Sequence, residues 1–305
     1  MMGMLIAADI GGTKTRIRIT DTSGNILSEI VGDGVALAVD GTDELPVLEA
    51  LLSDIKDREQ TCAIAINLGG KNTEQVLASF RKFFPSVPMK IFRESEGDAA
   101  YALGDKYGAP IVLMAGTGAI AVGKRENKFV TVGGWGINIG DEGSGYDIGL
   151  QAIKASLAAL DGVRPLSPLV KFICGFSEPF TATDTAAEFR DKRDAVRARL
   201  YPLDRRNVAS VAKTVFEFAE KGDEEALKIF DRAGEKLSEL VINVSKKLSV
   251  ENSSVVVTGG LINSRKFWSG SFERALKGFE IRYIEDGLLY GTYSIARELY
   301  EKETL

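Results

Sequence analysis

The sequence predicts an α/β protein whose two lobes share one plan. Strand-like and helix-like segments alternate along the chain, the pattern of a mixed α/β architecture. A meander of strand, turn, strand, turn and strand opens the chain, and the same meander returns about a hundred residues later. The 305 residues also exceed what one hydrophobic core comfortably holds, so two units of roughly 150 residues are expected.

Met4–Asp9 is an apolar run, Gly11-Gly12-Thr13-Lys14 a tight turn and Thr15–Thr20 an alternating strand. Asp21–Asn25 then turns the chain into a third strand at Ile26–Val31. Leu45, Leu48, Leu51, Leu52 and Ile55 recur at helical spacing. Thr61–Ile66 is a buried strand, and the apolar strand ending at Ile91-Phe92 runs into a helix whose first turn holds Asp98. The second meander takes Pro110–Ala115, the turn Gly116-Thr117-Gly118, Ala119–Gly123, the turn Lys124–Asn127 and Lys128–Val132, which sets Thr117 against Thr13. Helical periodicity runs from Tyr146 to Leu160, and Arg206–Leu248 is helical with a break near Lys221-Gly222-Asp223. Ser253–Thr258 is a β-branched strand ending in Gly259-Gly260. A helix near Ser264–Leu276, a strand at Glu280–Ile284 and a helix from Leu288 complete the pattern. A boundary at Gly108-Ala109-Pro110 divides the chain into a first lobe of 1–109 with 287–305 and a second lobe of 110–286.

Composition removes several function classes. The net charge is −5, with 38 basic and 43 acidic residues interleaved and no basic stripe, so nucleic acid is not an expected partner. No apolar run approaches the ~18 residues that cross a bilayer. The N-terminus lacks signal-peptide features, so no membrane partner and a cytoplasmic location are expected. Cys62 and Cys174 stand far apart, and Cys62 reads as a small hydrophobe within its strand. The count of histidines is zero, which excludes His-based triads, His metal sites and His general bases. Acid–base chemistry falls to a carboxylate, Lys, Tyr or Cys.

Five segments carry candidate chemistry. In Asp9-Ile-Gly-Gly-Thr-Lys-Thr15, Gly11 and Gly12 let backbone N–H groups approach an anion, while Thr13, Lys14 and Thr15 add donors; the alternative is a plain hairpin turn. Asp9, ending its strand, is placed to hold Mg²⁺ through water. Gly116, Thr117 and Gly118 form a second such turn, and two of them facing across a cleft grip a triphosphate from both sides. Asp98 at a helix N-terminus is kept ionised, as a general base must be, although Ser95-x-x-Asp98 also fits a capping box. Six glycines within Gly133–Gly145 suit a pocket wall in which Asp141 binds substrate hydroxyls, or else a loose surface loop. Thr258, Gly259 and Gly260 end a buried strand on a surface flat enough for a purine.

Taken in order, these segments resemble the N-acetylglucosamine kinase and BadF/BadG/BcrA/BcrD ATPase family of the actin/hexokinase superfamily. The resemblance implies a two-lobed actin-like ATPase fold, made of duplicated ribonuclease H-like domains around a central cleft. It implies ATP and Mg²⁺ as cofactors, a sugar or sugar acid as partner, and a homodimer. Asp98 matches the catalytic Asp. Asp9–Thr15 and Gly116–Gly118 match the phosphate motifs, and Thr258-Gly259-Gly260 the adenosine motif. Gly133, Gly134, Trp135 and Asp141 lie in a stretch that looks like the family's sugar site, GGWG…GDEGS. The implied reaction moves the γ-phosphate of ATP to a sugar hydroxyl. One departure bears on the acceptor. The loop Gly32–Gly41 lacks the Asn with which N-acetylglucosamine kinases contact the sugar, so 2-keto-3-deoxygluconate joins hexoses, glucosamine and N-acetylglucosamine as an expected substrate. Lys71 and Arg93 are candidate partners for its carboxylate. A rival in the same superfamily is the ATPase that activates 2-hydroxyacyl-CoA dehydratases, which needs two cluster-ligating cysteines per chain. A ROK-type repressor would need a DNA-binding domain ahead of residue 9.

Overall fold

The computed structural model describes residues 3–12, 14–35, 45–70, 73–93, 97–136, 138–181 and 185–304. The first half contributes β1 (Met4–Ile10), β2 (Lys14–Asp21), β3 (Ile26–Asp33), α1 (Leu45–Ser53), β4 (Thr61–Leu68), α2 (Thr73–Phe83), β5 (Met89–Arg93) and α3 (Asp98–Tyr107). Then come β6 (Ile111–Ala115), β7 (Ala119–Arg125), β8 (Lys128–Gly133), α4 (Gly145–Leu160), α5 (Pro168–Cys174), α6 (Ala186–Leu200), α7 (Arg205–Glu220) and α8 (Glu224–Leu248). The chain ends with β9 (Ser254–Thr258), α9 (Arg265–Ala275), β10 (Glu280–Tyr283) and α10 (Gly287–Thr304).

The strands form two five-stranded sheets, ordered β3-β2-β1-β4-β5 and β10-β9-β6-β7-β8. Read backwards, the second order is the first with each strand replaced by its counterpart. In both, the meander is antiparallel and the later strands add in parallel, as β4 does beside β1 and β9 beside β6. The ribonuclease H-like plan therefore occurs twice. The first meander turns where the Asp21 carboxylate accepts the N–H groups of Ser23 and Asn25 at 2.9 and 2.8 Å, which satisfies donors the strands leave over.

Each sheet is covered on one face by its own helices. α1 and α2 bury Leu48, Leu52, Val76 and Phe80 against Ile17, Ile19, Ile64 and Ile66 of the first. The second is crossed by α8, whose buried positions Ile229, Phe230, Ala233, Leu237, Val241, Val244 and Leu248 keep helical spacing. Asp223 caps α8 by accepting the Ala226 N–H at 3.0 Å, at the break expected near residues 221–223.

On the opposite faces the halves exchange helices. α3 follows the first sheet, yet Ala100 and Leu103 pack on Val112, Met114, Val122 and Val256 of the second. α10 follows the second sheet, yet Ile295 and Ala296 pack on Leu5, Ala63, Ala65 and Phe92 of the first. The expected lobe 1–109 thus includes a helix whose apolar face lies in the second sheet's core, because chain order does not record which sheet a helix packs on. α3 and α10 cross at backbone contact, since a Cβ on Gly291 would lie 1.9 Å from the Ala99 carbonyl oxygen. Among the described residues no helix is long and apolar enough to cross a membrane.

Candidate active site

Asp9 is the penultimate residue of β1 and pairs with Arg16 on β2 and Asn67 on β4. Strand alternation then sorts the first turn's residues. Thr15 is fully buried on the side of Ile17 and Ile19, so its hydroxyl faces the core and does not reach the cleft. Lys14 and Arg16 take the other side and line a cavity of about 800 Å³. Arg16 is held by Glu29 at 2.6 Å and by Asp286 in the loop before α10.

The Asn67 amide donates to the Asp9 carboxylate at 2.8 Å. Burial pushes the Asp9 carboxyl above its ordinary range, against the downward pulls of the Asn67 hydrogen bond and the Arg16 charge. The Asn67 Oδ1 is also buried, without a hydrogen-bond partner among the described residues. A half-buried carboxylate that desolvation holds above its ordinary range, beside an orphaned amide oxygen, suits a cation. Among the described residues no cluster of three or more acidic or thiol groups could hold a metal by itself. One carboxylate is nonetheless the donor set that Mg²⁺ uses when it keeps its waters and shares phosphate oxygens.

The second turn closes with the Gly116 N–H donating to the Gly118 carbonyl at 2.9 Å. Behind it stands the N-terminus of α4, whose Gly145 and Tyr146 N–H groups donate to the Gly116 and Thr117 carbonyls at 2.8 and 3.2 Å. This helix of 16 residues brings the positive end of its dipole to the turn, which favours an anion there. The Ser144 hydroxyl caps it, and the Asp147 carboxylate accepts from Gly143 N–H and is neutralised by Arg232 at 2.6 Å. Across the cavity the buried Thr258 hydroxyl accepts the Gly287 N–H at 3.1 Å. Gly259 has φ +107°, and a Cβ there would lie 2.3 Å from the Ala115 oxygen, so backbone alone forms that wall.

Of the residues singled out from sequence, Asp9, Lys14, Gly116, Thr117, Thr258, Gly259 and Gly260 share this cavity. Gly11, Gly12 and Gly118 frame the two turns without lining it. Thr13 and Lys71 lie outside the described residues, as does Ser95. Asp98, Gly133, Gly134, Trp135 and Asp141 are not part of its wall. Asp98 begins α3, with Gly97 as cap, and accepts from the Lys90 ammonium at 2.9 Å. One turn on, Tyr101 meets Phe129 of β8 edge-on at 5.1 Å, and β8 runs straight into Gly133 and Gly134. That contact packs the helix of Asp98 on β8, the strand that leads into the glycine-rich loop. In the loop, Trp135 and Ile139 are 74% and 76% exposed, whereas Asp141 is buried and accepts the Ala119 N–H at 3.3 Å. A Cβ on Gly118 would lie 3.1 Å from the Asp141 carboxylate, so this acid braces the second turn.

Three contributors escaped the sequence reading. The face of α7 carrying Ala209, Lys213 and Phe216 lines the cavity, Asp286 anchors Arg16, and Asn67 orients Asp9. Only Asn67 left a signal, as a polar residue within the apolar run Thr61–Leu68.

The model of the BadF/BadG/BcrA/BcrD ATPase family matches residues 8–278. The chain belongs to that family. This family member is 28% identical to the N-acetylmuramic acid/N-acetylglucosamine kinase of Clostridium acetobutylicum, over 97% of this chain and 99% of that one. It is 27% identical to the N-acetyl-D-glucosamine kinase of Dictyostelium discoideum, over 86% of each. Its fold matches the crystal structure of a Chromobacterium violaceum protein named provisionally as an N-acetylglucosamine kinase, with a TM-score of 0.68, 22% identity and coverage of 97% and 99%. The architecture is the two-lobed actin-like one.

Proposed function

We propose that this chain is an ATP-dependent sugar kinase whose acceptor is an amino sugar of the N-acetylglucosamine type. The observation that carries the reading is a single cavity lined by Asp9 and Lys14 at the first sheet's turn and by Gly116 and Thr117 of the second sheet's turn. The family match and the names of the two curated relatives support the acceptor class.

In this reading the triphosphate lies between Gly11–Lys14 and Gly116–Gly118, and the adenosine rests on Gly259 and Gly260 beside α7. Asp9 and Asn67 hold Mg²⁺, which neutralises phosphate charge when bound. Asp98 accepts the proton of the attacking sugar hydroxyl. Gly133, Gly134 and Trp135 border the sugar, with Asp141 fixing the turn behind them. The lobes, the first sheet with α1, α2 and α10 and the second sheet with α3 and α4–α9, close over both substrates and exclude water, which favours transfer over hydrolysis. Phosphoryl transfer asks mainly for such positioning and charge neutralisation. The dehydratase-activator reading has less support. Cys62 is the second residue of β4 and Cys174 ends α5, and each thiol is turned toward a local carbonyl, of Gln60 and Lys171 respectively.

The test is ADP release with Mg-ATP across N-acetylglucosamine, N-acetylmuramic acid, glucosamine, glucose and 2-keto-3-deoxygluconate. The expected result is fastest release with an N-acetylated amino sugar. A response to 2-keto-3-deoxygluconate alone overturns the acceptor assignment, and sugar-independent release throughout overturns the kinase reading.

A further inference from the structure

We propose that Arg206 is the positioning residue that holds the two phosphate turns in register across the cleft. The proposal deepens the kinase reading above and rests on it. Arg206 sits in the first turn of α7, where the helix dipole disfavours a cation, so propensity does not explain it. What it reaches does. Its Nε donates to the Gly12 carbonyl of the first turn at 3.0 Å, and its Nη2 donates to the Gly34 carbonyl just after β3 at 2.8 Å. Hydrogen bonds from a guanidinium are among the stronger ones available to a backbone carbonyl, and its planar fork fixes direction as well as distance.

The same helix is tied rigidly to the second turn. Arg206, Ala209, Lys213 and Phe216 recur at helical spacing, so one face of α7 grips the first lobe at its start and lines the cavity below. Its other side is pressed on α4. A Cβ on Gly149 would lie 2.0 Å from the Val208 carbonyl oxygen, so the two helix backbones touch and cannot slide independently. The N-terminus of α4 in turn carries the second turn through its Gly145 and Tyr146 N–H groups. Gly12, Arg206, α7, α4 and Gly116 thus form one continuous mechanical path from turn to turn. The second-lobe half of that path is packed helix. On this path the step across the cleft is the Arg206 side chain, and the Arg16–Asp286 ion pair crosses beside it.

The path separates two quantities a kinase assay can read. Thr117, Gly259, Gly260 and α7 all belong to the second half, so most nucleotide contacts survive loss of Arg206. Alignment of the first turn does not. In Arg206→Met the expected result is a fall in kcat of about tenfold to a hundredfold, with the affinity for Mg-ADP changed by no more than about twofold. Arg206→Lys keeps one donor and falls between. Amide hydrogen exchange supplies a readout that needs no acceptor sugar. In Arg206→Met, exchange at residues 10–12 and 34–35 is expected to quicken by about tenfold, while residues 254–258 keep their protection. Unchanged exchange at the first turn overturns the proposal, as does a parallel loss of kcat, ADP affinity and melting temperature, which marks a purely structural role. Should the wild type phosphorylate none of the sugars tested, the kinase reading fails at that step and the exchange measurement still decides the role of Arg206.

Discussion

Gly291→Ala tests whether the crossing of α3 and α10 places the base. The new methyl would lie 1.9 Å from the Ala99 carbonyl oxygen, 2.7 Å from its carbon and 3.0 Å from its Cα, and ordinary contact begins at 3.4 Å. All three atoms are backbone, so no side chain can swing away. The helices must part by the difference, roughly 1.5 Å. Overpacking of this kind costs about 1–3 kcal/mol, and the better helix propensity of Ala returns up to about 1 kcal/mol. The net loss of about 0–3 kcal/mol lowers the melting temperature by several degrees at most, at roughly 2–4 °C per kcal/mol. Asp98 adjoins Ala99 and must move with it. A displacement near 1 Å costs about a hundredfold in rate, so turnover should fall far more than stability. Gly270→Ala in α9 is the control, because its methyl meets only the Arg274 guanidinium at 3.6 Å. It should stabilise by about 0.5–1 kcal/mol at unchanged kcat. Thermal melting and steady-state ADP release on the three proteins decide the matter. Wild-type turnover and a raised melting temperature in Gly291→Ala would refute the argument.

Two further predictions follow from the site. Asp98→Asn should lower kcat by about 10²–10⁴-fold with Mg-ADP affinity intact, measured by ADP release and calorimetry; wild-type turnover would remove Asp98 from the chemistry. Asp9→Asn should raise the melting temperature of the nucleotide-free protein at neutral pH while abolishing Mg-dependent turnover. The sign follows from the raised carboxyl: its charged form costs the native state, a cost felt as pH rises above the ordinary carboxylate range and absent below it. The melting difference between variant and wild type should therefore shrink to nothing below about pH 4.

Much of the architecture could be read before any coordinates. The two meanders, the long helices of 145–248 and the glycine-bearing strand end at Thr258 carry periodicities of 2.0 and 3.6 that local sequence records directly. Asp98 at a helix start and the Gly116-Thr117-Gly118 turn were legible from local sequence as well. Thr15 was misplaced because a motif read as a string ignores the alternation that turns every second side chain inward. Arg206, Asp286 and the face of α7 were invisible because each acts on residues far away along the chain, 194 positions in the case of Gly12. The α5 and α6 segments carry weak periodicity, and the only buried residue of α6 is Val196, so no stripe announced it.

The exchange of α3 and α10 also has a consequence for biogenesis. On the ribosome the five strands of the first sheet emerge early, but the face holding Leu5, Ala63 and Phe92, touched by Ala99 of α3, receives its main cover from α10, a helix made after β10. That apolar surface waits, open to chaperones or to a neighbouring nascent chain, while the segment from β5 to α10 is made. Co-translational folding can therefore complete the α1–α2 side early, whereas the opposite face is sealed only once α10 has been made.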